Sequence, residues 1–271
     1  MIIAVMGATG TGKSTIINLL SGSHLAVGEG LRSRTSKVES AGPFSLFGRS
    51  VTLVDTPGFD DTTVPDTEIL STIAGYLSST YQNGHRLHGV IYMHRISDVR
   101  MTGISRQNFS MFRHLCGDNT LCNVLIVTNM WSEVTPERGD AREAELRTGD
   151  IFFAPALEAG ATLVRHDGTL ASAQAVLAHF SDASPRTLLI QQELIDEKKN
   201  IIDTSAGLQI AGAIDELRKS YDRQLARIRR EFQQALTEKE EETRKEIERV
   251  RQELQERIRK LEQDRDMLAK N

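Results

Sequence analysis

The chain has 271 residues, 39% of them hydrophobic, and a formal net charge of −4. That is enough apolar material for one substantial buried core with an appendage. No apolar run is long enough to span a bilayer, and no long basic run marks a nucleic-acid surface, so nucleic acid is not an expected partner. With the first strand starting at Ile2 there is no room for a leader peptide, and a cytoplasmic address is expected, with peripheral attachment to a membrane left open.

The first predicted element is the strand Ile2 to Met6, followed by Gly7-Ala8-Thr9-Gly10-Thr11-Gly12-Lys13-Ser14-Thr15 and a helix over Lys13 to Ser21. Gly-x-x-x-x-Gly-Lys-Ser between a strand and a helix is a phosphate-binding loop. Successive backbone N–H groups must converge on a polyphosphate, which needs glycine conformations, and the helix adds its positive end. Lys13 is expected on the β and γ phosphates, and the Ser14 hydroxyl on Mg²⁺.

Residues 28–36, Gly-Glu-Gly-Leu-Arg-Ser-Arg-Thr-Ser, have the composition of a mobile switch loop. Thr35 is assigned as the residue that closes on Mg²⁺ and the γ phosphate, with Ser36 as the fallback. Arg32 or Arg34 is a candidate arginine finger, within the chain or across a dimer. Strands follow at Val38 to Leu46 and Ser50 to Val54. The second runs into Asp55-Thr56-Pro57-Gly58, where Asp55 would hold Mg²⁺ through a water and the Gly58 N–H would meet the γ phosphate. Phe59 follows, with no polar group to orient an attacking water, and Asp60 and Asp61 read as capping or solvated residues.

The alternation continues with helices over 66–81, 105–115, 136–147 and 170–180 and strands at 89–93, 123–127 and 162–164, which predicts a mostly parallel sheet covered on both faces. Thr135-Pro136 and Ser184-Pro185 both read as an N-cap followed by proline at the first helical position. Cys116 and Cys122 lack partners at metal spacing and read as reduced thiols.

The phosphate loop, Asp55 to Asp61, and His94-Arg95-Ile96-Ser97-Asp98 leading to Arg106-Gln107-Asn108-Phe109 together resemble the immunity-associated and Toc-type branch of septin-like GTPases, and fungal G-domain proteins of the P-loop hydrolase class. The resemblance covers about residues 1–180. It implies an α/β, three-layer P-loop G domain that binds GTP and GDP with Mg²⁺, hydrolyses GTP slowly, and forms a nucleotide-dependent homodimer.

The base-reading motif departs from that pattern. After the strand ending at Val127 the chain reads Thr128-Asn129-Met130-Trp131 where Asn/Thr-Lys-x-Asp is expected, so the carboxylate that accepts the guanine N–H donors is missing. Asn129 would lie along the base, and Trp131 would stack on it or belong to the core. Glu133 and Asp167 are substitute carboxylates, Asp167 because the resemblance places the last guanine-contacting motif after the strand at 162–164. An ATPase or a nonselective nucleotide hydrolase is the alternative reading, and a scaffold that uses binding rather than turnover is a third.

A helical extension is expected from residue 185, with an amphipathic helix over Pro185 to Asp203 and, from about Ala211, one long helix without Gly or Pro. Some 60 helical residues would extend roughly 90 Å. The segment from Ser205 onward carries 16 basic and 15 acidic residues, against 17 and 22 before it. Ile214, Leu217, Tyr221, Leu225, Ile228 and Phe232 form an apolar face for docking on the G domain or a helical effector. Ile247, Leu254, Leu261 and Leu268 form a narrower seven-residue stripe, suited to a weak coiled coil.

Overall fold

The computed structural model describes residues 1–26, 37–59, 64–98, 103–238 and 241–270. Six strands form one sheet: β1 (Ile2–Gly7), β2 (Glu39–Leu46), β3 (Arg49–Asp55), β4 (Gly89–Arg95), β5 (Val124–Asn129) and β6 (Thr162–Arg165). Their order is β2-β3-β1-β4-β5-β6, with β2 antiparallel to β3 and every other pair parallel. The helices that accompany the sheet are α1 (Lys13–Ser21), α2 (Asp66–Gln82), α3 (Gly103–Cys116), α4 (Pro136–Thr148), α5 (Ala154–Glu158) and α6 (Leu170–Ala178).

The continuous apolar run of β1 follows from burial on both faces, as parallel sheets require. Ile3 and Val5 point into the cluster with Ile16 and Ile17 of α1 and Val176 of α6, while Ala4 and Met6 point the other way, among Leu70 and Ile73 of α2 and Phe112 of α3. The same two-residue alternation divides Val90 and Tyr92 from Ile91 and Met93 in β4. All the strand carboxyl ends of the parallel set thus lie on one rim, where ligands bind in open α/β sheets.

Aromatic rings fill the α3 side. Tyr92, Phe109, Phe112 and Phe153 pack with centroids 4.6 to 6.3 Å apart. The His94 ring stands edge-on to Phe153 at 5.3 Å. Burial, and secondarily the Arg95 charge, lower the His94 pKa to about 4 from 6.5. The unfolded chain therefore takes up a proton near pH 6.5 that the folded chain refuses until about pH 4. Stability from this site is complete above pH 6.5 and falls by up to about 3 kcal/mol as the pH drops to 4. Denaturant titrations across that window should show the slope, and His94→Gln should flatten it; an unchanged slope would mean that another group carries it.

After α6 the chain departs from the expected pattern. Pro185 to Asp203 is not one amphipathic helix but a short turn of helix, α7 (Leu189–Gln191), a five-residue π turn over Gln192–Asp196 and a 3-10 turn over Ile201–Asp203. Side chains capture the backbone here. Gln191 Oε1 accepts from Leu188 N at 2.9 Å and its Nε2 donates to Leu77 O of α2 at 2.8 Å, while Glu193 accepts from Ser205 N through both oxygens at 3.0 and 3.1 Å. Ser184-Pro185 does not cap a helix; Arg186 N donates to Leu87 O in an isolated bridge instead.

Nor is the C-terminal segment one long rod. It forms α8 (Ser205–Glu238) and α9 (Glu241–Lys270), which run antiparallel: Arg265 pairs with Asp215 at 3.5 Å, Arg218 with Glu262 at 3.6 Å, and Arg257 lies over the Tyr221 ring. The narrow stripe of α9 is satisfied by the apolar face of α8, with Leu225 and Leu254 both buried. The base of this hairpin forms an outer layer on α2 and α3, where Ala206, Ile210 and Leu268 join the core cluster of the sheet. Leu217, predicted within the docking face, is 44% exposed.

Candidate functional site

The loop between β1 and α1 lies at the carboxyl end of β1, on the rim formed by the parallel strand ends. Gly10 and Gly12 have φ of 75° and 92°, the left-handed region, which turns successive N–H groups inward as an anion nest. Lys13 is 6% exposed, and its Nζ donates to Gly7 O at 3.0 Å and Ala8 O at 2.8 Å. Thr11 Oγ1 donates to Ala8 O at 2.9 Å, which braces the turn, and Asn129 Nδ2, from the end of β5, donates to Thr11 O at 3.1 Å. Asn129 thus lies on the phosphate loop, and Thr15 sits exposed one residue into the helix beyond Ser14.

The second loop arrives from β3. Asp55 pairs with β1 through the β3 register, and Thr56 Oγ1 donates to Val5 O at 2.9 Å, so the strand end is fixed to the strand that feeds the phosphate loop. Ser14 Oγ donates to Asp55 Oδ2 at 2.5 Å. Gly58 lies against the loop so tightly that a Cβ there would stand 2.6 Å from Thr9 N and Thr9 Oγ1. Thr9 N donates to Phe59 O at 3.2 Å, and the Phe59 ring is fully buried in the core.

Asp55 Oδ1 is buried with no hydrogen-bond partner. Burial pushes the Asp55 carboxyl up, against the opposing pull of the Ser14 hydroxyl and the Lys13 charge. An orphaned carboxylate oxygen beside a hydroxyl is the donor set of a hard cation, so Ser14 and Asp55 fit Mg²⁺, with the remaining positions left to water and phosphate oxygens. A carboxyl whose folded pKa is raised contributes stability that is present below pH 3.8 and lost as the pH rises through the folded value. At neutral pH, without a cation, Asp55 is therefore a net cost. Asp55→Asn is expected to raise the stability of the nucleotide-free protein by about 1 kcal/mol while removing the extra stabilisation that Mg²⁺ gives with nucleotide. Denaturant midpoints with and without Mg²⁺ test both signs; a less stable nucleotide-free variant would mean that the Lys13 attraction outweighs burial.

One residue at the rim carried no signal in the sequence beyond its place in the His94 to Asp98 run. Arg95, the last residue of β4, holds Asp98 through Nε at 3.0 Å, and its Nη1 reaches to 3.3 Å from the position of a Cβ on Gly10. A guanidinium is thereby carried to the outer lip of the phosphate loop.

The remaining predicted residues divide. Trp131 Nε1 donates to Thr128 O and Thr128 Oγ1, both at 3.1 Å, and the Arg165 guanidinium covers the indole at 4.1 Å. Asp167 Oδ1 accepts from Thr169 N at 2.9 Å and Thr169 Oγ1 at 2.7 Å, which starts α6. Contacts from Ser172 and then Thr169 hold its carboxyl well below the ordinary range. Glu133 is exposed. Thr35, Ser36, Arg32, Arg34, Asp60 and Asp61 lie outside the described residues.

Residues 2–130 match the model of a family described as 50S ribosome-binding GTPase. A comparison with curated proteins gives no match. Among solved structures the chain is similar to Toc33 from Arabidopsis thaliana in complex with Mg²⁺ and GMPPNP, at 18% identity and a TM-score of 0.51, over 67% of this chain and 85% of that one. It is also similar to a structure described by the statement that dimerisation is important for the GTPase activity of chloroplast translocon components atToc33 and psToc159, at 16% identity and a TM-score of 0.52, over 68% and 84% of the two chains. The fold is that of a P-loop GTPase: a mostly parallel six-stranded sheet, here followed by a long helical region.

Proposed function

We propose that the chain is a Mg²⁺-dependent GTP-binding protein that hydrolyses GTP slowly to GDP and phosphate and acts as a switch or a nucleotide-dependent dimerising scaffold. The observation that carries this reading is the convergence of two loops: Ser14 bonded to Asp55, and Gly58 packed on Thr9. A loop after β3 that touches the phosphate loop directly is placed to respond to a γ phosphate, and α2 follows it by only a few residues.

Lys13 and Gly58 would contact the γ phosphate, with Thr35 closing on Mg²⁺ beside Ser14 and Asp55. Slow turnover follows from Phe59, whose ring is in the core and offers nothing to orient a water. The similar structures, Toc33 with Mg²⁺ and GMPPNP in one and dimerisation stated to be important for GTPase activity in the other, support the cofactor and the homodimer.

In this reading residues 1–184 are the nucleotide machinery, and residues 185–271 carry its state to a helical partner. Gln191 on Leu77, together with the seat of the hairpin on α2 and α3, connects the two parts. Among the described residues no helix is long and apolar enough to cross a membrane. We place the protein in the cytoplasm, with any membrane attachment peripheral.

Turnover of Mg-GTP followed across protein concentration tests the proposal. Rates per molecule that rise with concentration support a dimerising GTPase; a rate independent of concentration would remove the dimer, and absence of GTP binding would remove the function.

A further inference from the structure

The parallel strands have a second rim, at their amino ends, and a cavity of about 550 Å³ opens there. Ile2 at the start of β1, Tyr81 near the end of α2, His85, Arg86 and His88 in the connection to β4, and Pro185 line it. The six residues of β1, about 20 Å of strand, separate it from the phosphate loop.

His88 is held by its backbone and by its ring. Its N donates to Ile2 O at 2.8 Å, and its O accepts from Asn123 Nδ2 at 3.0 Å. The same Asn123 amide donates to Ser184 O at 2.7 Å, which fixes the chain beside Pro185. In the imidazole, Nδ1 accepts from Ile2 N at 3.2 Å. A backbone N–H only donates, so the proton of the neutral ring sits on Nε2. Burial first, and then the positive charges of the Met1 amino group and Arg49, lower the His88 pKa and keep the ring neutral. Its Nε2–H is left as a donor of fixed direction, without a partner among the described residues.

The charge around it is mainly positive. Arg49, His85 and Arg86 are exposed, and among the described residues none of their side chains has an ion pair or a hydrogen bond. Asp196 accepts from the Tyr81 hydroxyl at 3.1 Å, which takes that hydrogen out of play and sets one carboxylate against the two arginines. A guanidinium fork and two imidazoles thus share a volume in the range of small-molecule sites. A carboxylate brings one charge, whereas a phosphate monoester brings about −1.5 to −2 and three strong acceptor oxygens, enough for several donors at once. Ile2 and Pro185 supply apolar wall for the carbon part of such a molecule. We propose that this cavity binds a small organic phosphomonoester, with Arg86 and the His88 Nε2–H as donors to its phosphate.

The test is an NMR titration of the full chain, read on the imidazole signals of His85 and His88. Phenyl phosphate, inorganic phosphate and chloride are compared at matched ionic strength, on wild type, Arg86→Gln and Lys13→Met. Saturable shifts with both phosphates are expected, tighter for phenyl phosphate and retained in Lys13→Met. Arg86 is exposed, so Arg86→Gln should keep the fold while weakening phosphate binding at least about tenfold. Equal shifts with chloride would overturn the proposal by reducing the effect to screening. Shifts that vanish in Lys13→Met would overturn it by placing the phosphate in the loop after β1. Unchanged affinity in Arg86→Gln, or phenyl phosphate bound no tighter than inorganic phosphate, would overturn it as well.

Discussion

Leu268→Asp is expected to unseat the helical hairpin and to remove several kcal/mol of stability, although it lies in the last turn of the last helix. Leu268 is fully buried and belongs to the same core cluster as Leu70 and Ile73 of α2 and Phe112 of α3. Truncating a leucine in such a site costs about 2–4 kcal/mol, and burying a carboxylate there costs more. The ion pairs along the hairpin cannot compensate. Arg218–Glu262 joins side chains 40% and 49% exposed, and Arg265–Asp215 joins side chains 45% and 47% exposed. Pairs of that kind contribute about 0–1 kcal/mol each.

The seat of the hairpin is therefore apolar, and its charged edges set register more than strength. Met267, the preceding residue, is 44% exposed, so Met267→Asp should change stability by no more than about 0.5 kcal/mol. Denaturant midpoints and protease cleavage within residues 205–270 distinguish the two variants. A wild-type midpoint for Leu268→Asp would sink the docked arrangement and return the segment to a free helix.

That dependence explains why the hairpin was illegible in the sequence while the sheet was not. Each strand carries its own signal: β1 is a run of apolar residues bounded by Gly7, and β4 and β5 repeat the pattern, so local composition decides them. The segment after Ala211 has no Gly or Pro, and helix propensity alone extends it without a break. Its reversal is decided by tertiary pairing, Tyr221 under Arg257 and Arg218 with Glu262, between residues about forty apart in sequence, with Leu225 and Leu254 both buried. The stripe of Ile247, Leu254, Leu261 and Leu268 has Arg244, Arg251, Ile258 and Arg265 at the complementary heptad positions, which by itself suits only a weak coiled coil. It suffices because the partner is the same chain, tied at its base to the core.

Pro185 to Asp203 failed for another reason. Its apolar period is real, but Gln191 and Glu193 bond to backbone groups outside the segment, and no periodicity encodes that. In the candidate site, Lys13, Ser14 and Asp55 were legible because phosphate chemistry imposes their spacing. Arg95 was not, because an arginine that ends a strand has no spacing to distinguish it from a solvated one.

Lys13→Ala should lower affinity for nucleoside di- and triphosphates by at least about a hundredfold and leave the fold intact. The ammonium is almost entirely buried, held by Gly7 O and Ala8 O, and it is one of the charges that counter the burial of Asp55. Removing it takes away the only cationic side chain within the loop sequence from Gly7 to Ser14. A polyphosphate entering the nest would then meet the Asp55 carboxylate with less to offset it, and two loop carbonyls would lose a donor.

Loss of that donor costs about 1–3 kcal/mol at most if water does not replace it, which is small beside the core described above. The thermal midpoint of the nucleotide-free protein should accordingly move by only a few degrees. Calorimetry with GTP and GDP reads the affinity, and circular dichroism reads the fold. Retained binding and turnover in a folded Lys13→Ala protein would sink the phosphate-loop assignment. A protein that fails to fold would instead show that Lys13 acts mainly as a structural clasp between β1 and α1, and Lys13→Met, which keeps the stem without the charge, separates that outcome from loss of phosphate binding.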